Sequence, residues 1–225
     1  MNKIQLLPLR EAQTVAFKEE MQEAFQYGFD FQSSLLTLGR ADTSIALPSL
    51  NRSLQSYYKD DNQWQVLPDK DFYQSLVAEG AEAHEAVNND GQRVGGAIIA
   101  IDAAKHRGEL AFLYVKVGIQ SKGIGQAIWK AIEALHPETE VWETCTPYFD
   151  LRNIHFYINR LGFHAVEFFN EHHPDPNMPR QPNEQREQSD VNIGYAESRE
   201  RKSEAQFDQE DGLFKFEKRM IRKKT

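Results

Sequence analysis

The chain has 225 residues, enough for one domain with insertions or for two very small ones. Hydrophobic residues make up 40% and charged residues 27%, which suits a packed core, while a mean hydropathy of −0.64 implies that part of the chain is solvated loop. A balance of 26 basic against 34 acidic residues argues against a general nucleic-acid binder, and the single cysteine, Cys145, excludes an intrachain disulfide and a cysteine-type zinc site.

The opening segment MNKIQLLPLREAQ has no apolar stretch of signal length, and no apolar run approaches a membrane span. The expectation is a cytoplasmic protein with neither membrane nor nucleic acid as partner. Residues 3–9 read as a first strand. Val15, Phe17, Met21 and Phe25 recur at helical spacing over 10–27. The segment 28–70 is variable in character, with a further helix and a polar loop around KDDNQW. From residue 81 the pattern sharpens: AEAHEAVN, the turn NDG and QRVGGAIIAI form a hairpin, and RGELAFLYVKV adds a third strand. Residues 121–135 place Ile124, Ala127, Ile128, Ala131, Ile132 and Leu135 on one helix face, and Pro137 follows its end. TEVWETC is the next strand, 150–160 a helix ended by Gly162, and FHAVEFF a strand. Residues 174–211 are poor in aliphatic side chains and cannot bury enough apolar area to offset their ordering entropy, so a mobile insertion is expected there. GLFKFEKRMI returns as a last strand. The whole reads as a single domain over 1–225.

The stretch VGIQSKGIGQAIWK, residues 117–130, is a glycine-rich turn between a strand and an amphipathic helix. A nucleoside-triphosphate loop would need Lys and Ser or Thr after Gly123, where Ile124 and Gly125 stand. A dinucleotide fingerprint would need a small residue where Ile128 stands. What remains is Gln120, Ser121, Lys122, Gly123, Ile124, Gly125 and Gln126 opening a helix, whose unpaired N–H groups and positive dipole end suit a phosphate.

Gln-x-x-Gly-x-Gly after a strand ending Leu-Tyr-Val resembles the acetyl-CoA motif of the GNAT N-acetyltransferase superfamily. Asn153-Ile-His-Phe156-Tyr157, followed by Leu161-Gly162-Phe163, resembles the second half of the same site. WETCTPYF before it points to a bacterial-type member. The resemblance covers roughly 3–27, 81–170 and the last strand. It implies an α+β fold: a mixed, mostly antiparallel sheet of about six to seven strands flanked by about four helices. It implies acetyl-CoA as co-substrate without a metal, and direct transfer of the acetyl group to the primary amine of a small molecule or protein. A non-catalytic coenzyme A sensor on the same fold and an interaction module using 174–211 are the alternatives. A homodimer is admitted.

By the same resemblance, Leu113, Tyr114 and Val115 offer backbone groups to acetyl and pantetheine, with Val115 N–H as oxyanion donor. Residues 120–126 hold the pyrophosphate, Asn153 and Phe156 border the pantetheine arm, and Tyr157 is the general acid. Tyr157 stands six residues before Phe163 where the family usually has five. One residue turns a helix by about 100°, so either the helix end absorbs the extra residue or Tyr157 points elsewhere. Glu109 is the candidate base: it lies eleven residues before Gln120, as in histone-type members, and alternation gives it the parity of Leu113 and Val115. A solvated glutamate beside Arg107 is the plainer reading of Glu109, and Glu143 is a rival base. Cys145 is expected buried on its strand, His172 and His173 as a surface pair, and His136 against the last carbonyls of its helix. His155 either faces the pocket or covers the sheet. Trp64, Trp129 and Trp142 are expected to pack.

Overall fold

The computed structural model describes residues 3–38, 66–120, 122–148, 150–170, 173–176 and 212–220. Most of the insertion at 174–211, the KDDNQW loop, Trp64, Ser121 and His172 lie outside the described residues. The elements are β1 (Gln5–Pro8), a short 3-10 turn (Glu11–Gln13), α1 (Thr14–Leu38), α2 (Asp69–Val77), β2 (Ala81–Val87), β3 (Arg93–Asp102), β4 (Arg107–Val115), α3 (Ile124–Leu135), β5 (Val141–Pro147), α4 (Leu151–His155) running into a π-helix (Phe156–Leu161), β6 (His164–Phe169) and β7 (Leu213–Arg219). The seven strands form one sheet in the order β1-β2-β3-β4-β5-β7-β6. The β4–β5 pair is parallel and the other five are antiparallel. This is the mixed, mostly antiparallel architecture that the motifs implied.

The sheet carries a core on each face. On one, α3 and the π-helix cover Leu110, Trp142 and Phe216, with Trp129 edge-on to Trp142 at 5.2 Å. On the other, α1 and α2 cover Ile98 and Tyr114 with Phe17, Met21 and Phe72. Phe17, Met21 and Ala24 are buried at i, i+4 and i+7 spacing, which fixes the face of α1 toward the sheet. An ionic cluster reinforces this: Arg93 reaches Glu20 at 2.8 and 3.0 Å and also pairs with Glu85, while Lys116 and the Tyr114 hydroxyl reach the same Glu20 at 2.9 and 3.1 Å.

Helix α1 runs to Leu38, well past the expected end at 27. Gly28 costs a helix only about 1 kcal/mol, and no proline follows until Pro48. Helix α2 is not predicted from the sequence pattern: Phe72 and Leu76 share its core-facing side at i, i+4 spacing, but nine residues make a short window for a helical period. The NDG turn forms as expected: the Asn88 side chain accepts from the N–H groups of Asp90 and Gln92 at 3.0 and 2.9 Å, and Gly91 takes φ +75°.

Two irregularities shape the centre of the sheet. Opposite Ile98 and Ile99, β4 holds one extra residue, a bulge at Ala111. Strands β4 and β5 pair only at Arg107↔Val141, Gly108↔Trp142 and Glu109↔Glu143, then splay apart. Thr144 Oγ1 donates to Leu110 O at 2.9 Å and is the last tie before the gap.

Candidate active site

The splay opens into a cavity of about 530 Å³. Its wall is β4 from Ala111 to Val115, the far half of β5, the glycine loop, and one face of α4 and the π-helix. Lys116 N–H is bonded to Val94 O at 3.0 Å, on the β3 side. By strand alternation the N–H groups of Val115 and Leu113 then turn to the splay, where β5 has withdrawn. The cavity thus has backbone donors and acceptors along one edge, as an extended amide-containing ligand requires.

The glycine loop brings the start of α3 to this edge. Gly123 is the N-cap residue and adopts φ +77° and ψ 6°, a left-handed conformation natural to glycine. A Cβ there would meet nothing closer than Gln126 Oε1 at 4.0 Å, so the side facing outward is open. Ala127 N–H donates to Gly123 O at 3.0 Å, and the three N–H groups before it have no partner within the helix. Gly125 serves differently. A Cβ there would lie 2.9 Å from Phe156 Cζ and 3.2 Å from Cε2, so this glycine admits the Phe156 ring against the helix.

Of the residues expected at the site, Leu113, Tyr114, Val115, Gln120, Gly123, Ile124, Gly125, Gln126, Asn153, Phe156 and Tyr157 line the cavity. Ser121 lies outside the described residues. Lys122 is exposed and is not in the wall. Gln120 Nε2 donates to Val115 O at 3.3 Å and Gln126 Nε2 to Arg160 O at 3.0 Å, so both amides brace the loop. The Tyr114 ring points to the α1 core, and only its backbone serves the splay. Asn153 is held by the N-cap residue Asp150, whose carboxylate accepts from Asn153 N at 3.0 Å and Nδ2 at 2.7 Å. Oδ1 is therefore the atom that Asn153 can present to a ligand N–H.

The one-residue offset at Tyr157 is resolved by the π-helix. Over Phe156–Leu161 the helix widens to i→i+5 bonding, and Gly162 ends it at φ +80°. Phe163 N–H still reaches Tyr157 O, at 2.9 Å. The extra residue is taken up in this wide turn, whose Ile158, Asn159 and Arg160 face solvent, while Tyr157 stays inward at 7% exposure. Its ring stands 5.9 Å from Phe163 and 5.8 Å from Phe216, and its hydroxyl is bonded to Thr144. Burial pushes its pKa up to about 12, so it is a protonated phenol at neutral pH.

Glu109 requires a correction. Leu110, Leu113 and Val115 pack on the α3 face, whereas Ala111, Phe112 and Tyr114 pack on the α1 face. The bulge at Ala111 reverses the alternation, so Glu109 lies opposite Leu113 and Val115 rather than with them. It does not line the cavity. Its carboxyl is held above the usual range, chiefly by burial and then by the Glu143 charge, with Lys215 opposing. Glu143 differs: burial works against its charge, but ion pairs with Lys215 at 3.0 Å and with Arg107 keep its carboxyl below the usual range.

Cys145 is also corrected: it is exposed and lines the cavity. Trp142, Thr144 and Thr146 take the inward positions of β5, so Cys145 is turned out. The protein packed around the cavity mouth still limits hydration of its sulfur, and this and the Glu109 charge raise its pKa to about 12, which keeps it a thiol. His155 lines the cavity and is exposed. The ring of His136 faces Glu82 and Glu138. Arg152 and Arg160 line the cavity and were not singled out in the sequence. Arg160 stands seven residues after Asn153, two helical turns on, and that spacing was the available signal.

The acetyltransferase (GNAT) family model matches residues 47–163, just over half of the sequence, and the chain belongs to this family. Over 142 residues it is 42% identical to YrkN, an uncharacterised protein of Bacillus subtilis strain 168, covering 60% of this chain and 76% of that one. Among solved structures, an acetyltransferase from Thermus thermophilus superposes with a TM-score of 0.50 at 11% identity, over 98% of this chain and 100% of that one. A GNAT family acetyltransferase from Elizabethkingia anophelis with acetyl-CoA bound gives 0.49 at 11% identity over the same shares. At 11% identity the likeness to the Thermus thermophilus structure speaks to the fold alone. No helix among the described residues is long and apolar enough to cross a membrane.

Proposed function

We propose that the protein is an acetyl-CoA-dependent N-acetyltransferase that moves the acetyl group directly to a primary amine. The observation that carries this reading is the make-up of the cavity wall. It joins the N-terminus of α3, the splayed edge of β4 and, on the α1 side of the sheet, Phe25, Leu67 and Asp71. Pyrophosphate at the helix start and pantetheine along the splay would bring the thioester beside Val115 N–H and Tyr157.

In this reading Asn153 Oδ1 accepts an amide N–H of pantetheine, and Arg160 adds positive charge beside the helix terminus. The amine nitrogen attacks the thioester carbonyl. Val115 N–H stabilises the oxygen as it gains charge. The C–S bond breaks, and Tyr157 gives its proton to the departing thiolate. Glu109, on the α1 face where the acceptor would enter, takes the ammonium proton through water, because its own carboxyl lies outside the wall. Glu143, held as an ion pair, is the poorer base. Asp71 in the wall, with the Glu109 charge felt at Cys145, favours a cationic acceptor.

Calorimetry with acetyl-CoA, ATP and NAD, followed by thiol-release assays over a panel of polyamines, aminoglycosides and amino acids, tests the proposal. Sub-millimolar binding of acetyl-CoA alone and amine-dependent thiol release are expected. Binding without release from any amine would favour the coenzyme sensor, and no binding would remove both.

A further inference from the structure

A second site lies at the other end of α3. Glu82 and His84 are two apart on β2 and share the face that α3 covers. His136 is the C-cap residue of α3. The twelve residues of α3 span about 18 Å, with the coenzyme loop at one end and His136 at the other. We propose that Glu82, His84 and His136 form a binding site for one divalent cation of the zinc type.

The distances suit such an ion. Glu82 Oε2 stands 3.0 Å from His84 Nε2 and 3.3 Å from His136 Nε2, and the ligand atoms all lie within 4.8 Å of one another. Zinc bonds to nitrogen and oxygen of about 2.0–2.2 Å place neighbouring tetrahedral ligands about 3.3–3.6 Å apart. The two separations from Glu82 are already close to that scale, and that between the two imidazoles is no more than 4.8 Å.

The proton positions point the same way. His136 Nδ1 and Nε2 each face a carboxylate at 3.3 Å, Glu138 Oε1 and Glu82 Oε2; with the ring proton on Nδ1, Nε2 offers its lone pair toward Glu82. This atom is buried, has no hydrogen-bond partner, and faces a carboxylate oxygen. Two acceptors so placed repel unless a proton or a metal cation stands between them. Metal-bound histidines commonly have a carboxylate behind the other ring nitrogen, as Glu138 is here. His84 Nε2 faces Glu82 Oε2 at 3.0 Å and without an ion carries its proton toward that carboxylate, while His84 Nδ1 is buried without a partner; moving the proton to Nδ1 frees Nε2 as a ligand.

Access is available from the carboxylate side. The Glu82 side chain is 39% exposed, against 8% and 10% for the two histidines. A water can complete a four-coordinate shell there. Two imidazoles and one carboxylate select zinc, or cobalt as its spectroscopic stand-in, over magnesium or calcium, which prefer all-oxygen shells. The ion would clamp the end of α3 to β2.

The test uses the full chain after chelator treatment, titrated calorimetrically with zinc chloride and, separately, followed by visible absorption on adding cobalt(II). One equivalent bound with micromolar or tighter affinity, and cobalt bands of tetrahedral intensity, are expected. Glu82→Gln and His136→Ala should each weaken binding at least tenfold, while His173→Ala, on the surface, should leave it unchanged. Should His136→Ala fail to fold by circular dichroism, Glu82→Gln decides, because its side chain is partly exposed. Absence of saturable one-equivalent binding by the wild-type chain, or undiminished affinity in Glu82→Gln, would overturn the site; the cluster would then be a histidine–carboxylate network completed by protons alone.

Discussion

Gly125→Ala is the substitution whose effect the geometry defines most sharply. The added methyl lies 2.9 Å from Phe156 Cζ, 3.2 Å from Cε2 and 3.6 Å from Val115 Cγ2. Carbon atoms rest about 3.5–4.0 Å apart, so the ring must withdraw by about 0.6–1.1 Å. Overpacking of this kind costs about 1–3 kcal/mol. Phe156 forms part of the cavity wall, so the displaced ring narrows the space for pantetheine. A coenzyme affinity at least tenfold lower, about 1.4 kcal/mol, is expected. The assay is a double-mutant cycle with Phe156→Leu, read by urea unfolding and by calorimetric titration with coenzyme A. Because the methyl points at the ring and not at the open side of the loop, the double variant should regain both stability and binding relative to Gly125→Ala. The expected coupling is about 0.5–3 kcal/mol. If stability recovers while coenzyme binding stays lost, the methyl obstructs the ligand itself and the role assigned to Phe156 is wrong.

Three further outcomes follow from the same structure. Tyr157→Phe should lower kcat by about 10²–10⁴-fold with little change in KM for acetyl-CoA; steady-state kinetics showing unaltered turnover would remove Tyr157 from the mechanism. The Glu109 carboxyl is raised by burial, so as a base it is protonated and idle below its raised pKa. The acidic limb of kcat/KM should therefore sit above the ordinary carboxylate range and vanish in Glu109→Gln, and a limb that persists in the variant would exclude it. Glu20 has the opposite sign: burial opposes its charge, but Arg93, Lys116 and Tyr114 hold its pKa below the ordinary value. Its contribution to stability is present above the unfolded-state pKa and is lost as pH falls through the folded one. Glu20→Gln should cost about 1–3 kcal/mol at neutral pH and flatten the acid dependence seen in urea melts; an unchanged dependence would refute this.

That the glycine loop, the β4 edge and Asn153 line one cavity was legible because those features depend on local chemistry. Glycines 123 and 125, the strand ending Leu-Tyr-Val and Asn153 announce themselves by residue type and spacing. The faces of β4 were not legible, because a bulge at Ala111 has no residue signature; alanine fits a regular strand as well, and one extra residue inverts every position before it. Cys145 was misplaced by its average preference for burial, although alternation from Trp142 would have turned it outward. Helix α2 places Phe72, Tyr73, Leu76 and Val77 at helical spacing, but its nine residues are shorter than the window over which a helical period stands out. The histidines of the proposed metal site come from a strand and a helix end far apart in sequence, so no spacing rule could join them.

The wide turn at Phe156–Leu161 bears on how such chains should be aligned. An inserted residue in an ordinary helix would rotate everything beyond it and carry Phe163, β6 and its pairing with β7 out of place. Here the surplus is pushed into solvent, and the frame is restored by Gly162 before the next strand begins. A one-residue gap in this segment is thus a change of helix bore and not a divergence of site. Sequences in which this tyrosine stands five or six residues before the phenylalanine can be compared position by position on either side of the turn, and the tyrosine treated as the same residue in both.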